Sequence, residues 1–326
     1  MLDKSKRQIN YLRLSITDHC NLRCQYCLPE KDTSFYKNCD LLNSEEIEKI
    51  VKAFSLIGIK KVRITGGEPL IRKDFQDILK KINNIQEIEK IAITTNGFNL
   101  LENLDIFKKN GLSRINISLD SLVPEKYNEI TRGGDFYKVF NTIKEASSKG
   151  FDKVRLNVVI MKDINDDEIL DFVNLTKNLN IGVRFIEVMP IGEGKKFVSV
   201  KNSNILSIIK ENYSLEKSLN SSTDGPALYY KIPGFLGEIG FISPLSNRFC
   251  DTCNRVRVTS NGFLKLCLHY DKGIDLLPYL KNNTSVEKLA FIIKEAIYNI
   301  KPKEHHMDKD DIVDDIESKG MNKIGG

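Results

Sequence analysis

The sequence predicts an α/β protein: an incomplete TIM-like (β/α)6 barrel followed by a smaller C-terminal region. Two observations carry this. Between residue 11 and about residue 190, β-branched runs of five to nine residues alternate with stretches that repeat their apolar residues at helical period. After Met189 the alternation stops, and short strand-like runs separated by loops replace it. At 326 residues the chain has room for one large unit or two domains, at about 100 to 200 residues per domain.

Taken in order, the runs YLRLSIT, KVRIT, KIAITT, RINISLD, KVRLNVVIM and GVRFIEVM are six strand candidates, each preceding a helical pattern. The clearest helix runs from Ser44 to Gly58. Asn43 is its N-cap, Glu46 completes a capping box, Ile47, Ile50, Val51 and Phe54 share one face, and Gly58 closes it. Such alternation implies parallel strands joined by right-handed crossovers, forming either an open sheet or a barrel-like layer; six units are two fewer than a complete eightfold barrel. The expected division is 1–190 for the partial barrel and 191–326 for the C-terminal region. In the latter, ALYYKI, GEIGFIS, RVRVTS and GFLKLCL read as strands and Ser285 to Ile300 as a helix. The segment from Glu304 to Gly326 has few apolar residues, and composition alone predicts disorder there.

Composition excludes several classes. The hydrophobic share is 41%, and no apolar run approaches the roughly 18 residues of a membrane span. The N-terminus passes from charge into strand without a secretory core, so a soluble, cytoplasmic protein is expected. A net charge of +5 and a pI near 8.6 suit an anionic small molecule and fall short of a nucleic-acid footprint. Seven cysteines in such a chain point to metal or redox chemistry rather than disulfides.

Three of them, Cys20, Cys24 and Cys27, follow the first strand directly, at the strand end where barrel enzymes place their chemistry. Three thiolates can hold three irons of a [4Fe-4S] cluster and leave the fourth open. Zinc would need a fourth ligand, for which His19 or Cys39 is near in sequence. The Cys-x3-Cys-x2-Cys spacing with Tyr26 before the last cysteine resembles the signature of the radical S-adenosylmethionine (SAM) superfamily. The resemblance implies that the open iron chelates SAM and that the reduced cluster cleaves it to a 5′-deoxyadenosyl radical, with the protein positioning and shielding both. The second strand ends in Ile64-Thr-Gly-Gly-Glu-Pro69, similar to the superfamily's motif for the SAM amino group; paired glycines permit close backbone approach, though they are also an ordinary turn signal. By the same resemblance Tyr26, Gly67, Ser118 and Met189 are SAM-binding residues.

A second triad, Cys250, Cys253 and Cys267, lies beyond the alternating region. Read by itself it allows a structural zinc completed by His269, or a redox dithiol at Cys250 and Cys253. The surrounding FISPLSNRFCDTCNRVRVTSNGFLKLC is similar to the C-terminal part of the GTP 3′,8-cyclase family, and the likeness covers nearly the whole chain. It implies a second [4Fe-4S] cluster whose unique iron meets the guanine of GTP, and a C-terminal Gly325-Gly326 tail that returns to the active site. Cys39 falls outside both spacings and reads as an inert buried thiol.

A triphosphate needs cations, and the planar arginine fork matches phosphate oxygens. Arg13, Arg63, Thr94, Arg155, Arg184, Arg255, Val256 and Arg257 match positions that the family uses for GTP. Val256 separates Arg255 from Arg257, which strand alternation puts on one face. Arg155 stands where the family commonly has lysine, so charge is kept and contact geometry changes. Arg255, Arg257, Gly325 and Gly326 are the residues expected nearest the chemistry. The resemblance further implies conversion of GTP to 3′,8-cyclo-7,8-dihydro-GTP, a reductant protein, a downstream cyclic pyranopterin monophosphate synthase and a homodimer. Two rivals follow from the residues: a peptide-modifying radical SAM enzyme, and a zinc-stabilised nucleotide-binding protein without catalysis.

Overall fold

The computed structural model describes residues 1–31, 41–218, 225–304, 317 and 319–325. Cys39, His305, His306 and Gly326 lie outside the described residues. The strand–helix alternation is present as β1 (Tyr11–Ser15), α1 (Ser44–Leu56), β2 (Lys61–Thr65), α2 (Phe75–Asn83), β3 (Lys90–Thr95), α3 (Leu104–Lys109), β4 (Leu112–Ser118), α4 (Pro124–Thr131), α5 (Phe136–Ser148), β5 (Lys153–Ile160), α6 (Ile169–Asn178) and β6 (Gly182–Glu187). Beyond it come α7 (Asn202–Asn212), β7 (Glu216–Lys217), β8 (Leu228–Lys231), β9 (Glu238–Ile242), β10 (Arg255–Val258), β11 (Phe263–Lys265), β12 (Gly273–Asp275), α8 (Leu277–Lys281) and α9 (Val286–Ile300).

All of these strands join one sheet in the order β12-β11-β10-β1-β2-β3-β4-β5-β6-β9-β8-β7. The parallel run is longer than the six expected strands, because β10 pairs parallel to β1 and β9 parallel to β6. Short antiparallel strands then flank both ends: β11 and β12 on one side, β8 and β7 on the other. Among the described residues no pairing joins β7 to β12. The curved sheet therefore stays open along one side, the geometry of a partial barrel.

Strand alternation separates two environments. On β1, Leu12 and Leu14 are fully buried in the layer of helices, together with Ile50 and Phe54 of α1 and Ile293 and Ile297 of α9. Each such side chain contributes about 1.5–3 kcal/mol of apolar burial. Helix α1 begins as its sequence requires: Asn43 Oδ1 accepts from Glu46 N–H, and Glu46 returns the bond to Asn43 N–H. The opposite face of β1 carries Tyr11, Arg13 and Ser15, in register with Lys61, Arg63 and Thr65 of β2 on one side, while Arg13 faces Arg257 of β10 on the other. A concave face lined by arginine is the unusual feature of this barrel.

Glycine makes the space for it. Gly182 stands beside Arg155 across β5 and β6, and Gly240 beside Arg184 across β6 and β9. A Cβ at these glycines would meet the arginine stems at 3.2 and 3.0 Å. Two long cationic side chains lie flat over the sheet because their neighbours have no side chain.

Candidate active site

The strand ends open into a cavity of about 340 Å³, lined by all six described cysteines. Cys20, Cys24 and Cys27 sit in the loop after β1. The Gly66-Gly67 turn after β2 is packed against that loop: Gly67 N–H donates to Thr17 O at 2.8 Å and Glu68 N–H to His19 O at 2.7 Å. A Cβ at Gly67 would lie 2.1 Å from His19 O, so only glycine allows this approach. Glu68 does not face the cavity as a free carboxylate. It accepts from Leu70 N–H (2.9 Å), Thr95 Oγ1–H (2.8 Å) and Asn96 N–H (2.7 Å), stapling the ends of β2 and β3 together. Burial pushes its carboxyl up to about 7, with those donors opposing.

Tyr26 donates to Asp120 Oδ2 at 2.8 Å, and Asp120 Oδ1 accepts from Val159 N–H at 2.8 Å. Burial raises Asp120 to about 6. The ring beside the triad is thus fixed from two strand ends. Burial also raises Cys20 to about 11 and Cys27 to about 12. The second triad stands in the opposite field. Burial would raise Cys253 too, but Lys301 and Arg255 outweigh it and bring that thiol down to about 7. Lys301 is itself held by the carbonyls of Leu266 (2.7 Å) and Arg255 (3.0 Å). Arg7 braces the far side, donating to Cys250 O at 3.0 Å and to the carbonyls of Lys303 and Pro302 at 2.8 and 2.7 Å.

The donor set bears on what each triad could hold. Among the described residues, no three His, Cys, Asp or Glu groups stand close enough to hold one metal ion. The three cysteines of each triad line the cavity wall and none of them is in a disulfide. His19 Nδ1 lies 3.0 Å from Asp18 Oδ1. Sets of three thiols fit iron–sulfur clusters by their donor chemistry, three irons held and the fourth left open.

Between the triads runs the cationic floor. Arg13, Arg63, Arg184, Arg255 and Arg257 all line the cavity, with Thr94 and Val256. Burial lowers Arg184 to about 10, and burial with Arg255 nearby lowers Arg257 to about 9. Both remain charged at neutral pH. The Nε atoms of Arg63 and Arg184 have no hydrogen-bond partner among the described residues. Arg184 is aimed by Asn116 Oδ1 at 2.5 Å and by Asn157 Oδ1. Buried, crowded guanidiniums with few acceptors make an anion receptor.

Tyr26, Gly67, Ser118 and Met189 line the same cavity at its other end. Arg155 does not line it; its guanidinium lies 3.8 Å from Glu238 and over the Tyr229 ring at 5.0 Å, one layer down. The described end of the tail, 319–325, departs from the compositional expectation. Ile324 is 1% exposed, and the Gly325 carbonyl accepts from Arg257 Nη1 at 2.8 Å and Arg13 Nη2 at 3.2 Å, with Gly325 at φ +77°. Sequence reasoning missed Asp120, Glu187, Lys301 and Arg7. Asp120 was legible as the last residue of RINISLD. Glu187, which holds Leu245 N–H and Ser246 N–H at 3.1 Å, carried no local signal.

Comparison with known proteins gives concordant findings. Residues 14–176 match the model of the radical SAM superfamily and residues 181–307 that of Molybdenum Cofactor Synthesis C. The chain is 48% identical over 327 residues to a GTP 3′,8-cyclase of Clostridium perfringens (strain SM101 / Type A), covering all of both chains. It is 47% identical over 332 residues to one of Clostridium botulinum (strain Hall), again over the full length of both. Among solved structures, Streptococcus suis SuiB bound to S-adenosylmethionine is similar in fold, with a TM-score of 0.61 at 16% identity, over 87% of this chain and 68% of that one.

Proposed function

The chain belongs to the GTP 3′,8-cyclase family of radical SAM enzymes, and on that premise we propose that it converts GTP to (8S)-3′,8-cyclo-7,8-dihydroguanosine 5′-triphosphate, the first step of molybdenum cofactor biosynthesis. The observation that carries the reading is that two thiol triads and a row of buried arginines share one cavity. When bound, a reduced [4Fe-4S] cluster with SAM supplies the 5′-deoxyadenosyl radical that removes hydrogen from C3′ of the substrate.

This chain's residues do the rest. Cys20, Cys24 and Cys27 would hold that cluster, with Tyr26, Gly67, Ser118 and Met189 around SAM. The hydrogen bond from Tyr26 to Asp120 keeps the ring from turning toward the thiols. Arg13, Arg63, Arg184 and Arg257 bind the triphosphate, with Thr94 and the Val256 strand edge alongside; charge-assisted bonds of this kind contribute about 1.5–3 kcal/mol each. Arg155 acts from beneath, keeping its charge against Glu238. Cys250, Cys253 and Cys267 would hold a second cluster facing guanine, with Arg255 and Arg257 beside it to stabilise negative charge as the radical left on the base after C3′–C8 bond formation takes up an electron and a proton. The tail, through Gly325, narrows the cavity above Arg13 and Arg257 and excludes water. A reductant protein supplies the electron, a cyclic pyranopterin monophosphate synthase consumes the product, and the enzyme works as a homodimer.

The test is anaerobic turnover. Protein reconstituted with iron and sulfide is given SAM, GTP and dithionite, and nucleotides are followed by mass spectrometry. Deoxyadenosine together with an isomer of GTP of unchanged mass supports the reading. Deoxyadenosine with GTP untouched overturns the substrate, and no deoxyadenosine from an intact cluster overturns the chemistry.

A further inference from the structure

We propose that Lys265 and Glu317 form a buried latch that seats the C-terminal segment in the cavity, which makes both of them positioning residues for the chemistry at Gly325; the inference rests on the functional reading above. Lys265 ends β11, and its register partner on β10 is Arg257, the arginine that the tail touches. Its side chain is 1% exposed, as is Glu317. The two form an ion pair, and the ammonium also donates to the Tyr270 carbonyl. The other carboxylate oxygen of Glu317 accepts from Lys319 N–H at 2.7 Å, and Glu317 N–H donates to His269 O at 2.9 Å. Lys319 adds a half-exposed pair to Asp271 at 3.0 Å.

From this anchor the segment crosses both triads. It starts on the 265–271 loop that carries Cys267, and Met321 and Asn322 then line the cavity with Cys27. Asn322 Nδ2 donates to Asp18 O at 3.0 Å, and the segment ends with the Gly325 carbonyl on Arg257 and Arg13. Between the anchor and Gly325, the apolar contribution of the described tail is Met321 and the fully buried Ile324. So little apolar surface does not hold a terminal segment against its conformational entropy. A fully buried ion pair adds little net stability, but it permits only one partner arrangement, because leaving either charge unpaired inside is severely unfavourable. Lys265 therefore sets where the tail docks, and the docking sets what faces Arg257.

Hydrogen exchange of the cluster-reconstituted protein, without SAM or GTP, tests this. Wild type is compared with Lys265→Met, Glu317→Gln and the apolar double variant Lys265→Met/Glu317→Leu. Each single variant is expected to raise exchange of the 319–325 amides roughly 100-fold, with peptides from β2 to β4 unchanged. The double variant, which leaves no buried charge, is expected to return most of that protection. In turnover, the single variants should keep forming deoxyadenosine while product per deoxyadenosine falls at least about tenfold, the loss expected when positioning alone is disturbed. Unchanged tail exchange in the single variants overturns the latch. So does an equal rise in β2 to β4, or a double variant as unprotected as the singles. The exchange measurement needs no substrate, so its failure condemns the latch alone, whereas a wild type that never makes product condemns the functional reading alone.

Discussion

Arg257 is where binding and stability should pull in opposite directions. Burial, with Arg255 close by, lowers its guanidinium from 12.5 to about 9. That depression corresponds to roughly 5 kcal/mol by which the folded protein disfavours this charge. Arg257→Met removes that cost and also removes the bond from Nη1 to the Gly325 carbonyl, worth about 1.5–3 kcal/mol. The difference predicts an unliganded variant more stable than wild type by about 2 kcal/mol, or about 3 °C in melting temperature at this chain length. The same substitution should weaken GTP binding about 100-fold, since a charge-assisted contact is lost. The sign with pH is fixed by linkage. A cation with a depressed folded pKa gives up its proton in the folded state first, so wild-type stability rises relative to the variant as pH climbs through about 9. The assay is thermal unfolding of cluster-loaded protein at pH 7.5 and 9.5, with and without GTP. A variant less stable than wild type without GTP at pH 7.5, or a gap that fails to narrow by pH 9.5, would refute the argument that the empty pocket is crowded with charge.

Further outcomes follow from other residues. Cys24→Ser and Cys253→Ser should each retain about half the iron of a wild type that binds about eight atoms per chain, and only Cys24→Ser should abolish deoxyadenosine formation; iron assay and chromatography check both. Gly240→Ala would bring a methyl to 2.7 Å from the Tyr229 ring and 3.0 Å from Arg184 Cγ. It should cost about 1–3 kcal/mol in denaturant unfolding and weaken GTP binding through the displaced Arg184. Glu68, raised to about 7 by burial, contributes stability that is fully present below the ordinary carboxylate value of 4.5 and is lost as pH rises through 7. Glu68→Gln should remove up to about 3 kcal/mol of that pH-dependent loss, seen as a flatter melting temperature between pH 5 and 8.

The barrel was legible because its strands and helices carry different periods: Leu12 and Leu14 alternate with Arg13, whereas Ile47, Ile50 and Phe54 recur at helical spacing. Both triads were legible as metal or redox sites because cysteines grouped in such a chain point to that chemistry, and the choice of clusters over zinc came from the resemblance. What periodicity does not encode is which distant strands become neighbours. GEIGFIS and RVRVTS read as isolated C-terminal strands, and the structure makes them the outer parallel members of the barrel. Arg155 matched a strand position by resemblance, yet its place beside Glu238 and Tyr229 depends on β5, β8 and β9 coming together. The tail was misjudged from composition for the same reason. Its described contacts are to Lys265, Arg13 and Arg257, residues far away in sequence, rather than to apolar neighbours supplied by its own composition.

The central claim is that this cavity sets the deoxyadenosyl radical against C3′ of GTP, and the most direct measurement follows that one hydrogen. GTP carrying deuterium at C3′ is turned over with unlabelled SAM and dithionite, and the deoxyadenosine is weighed by mass spectrometry. The account predicts deoxyadenosine heavier by one mass unit, in step with formation of a cyclised isomer of GTP. Unlabelled deoxyadenosine alongside that product would mean that the hydrogen leaves from elsewhere, and the arrangement of triads and arginines would need another explanation.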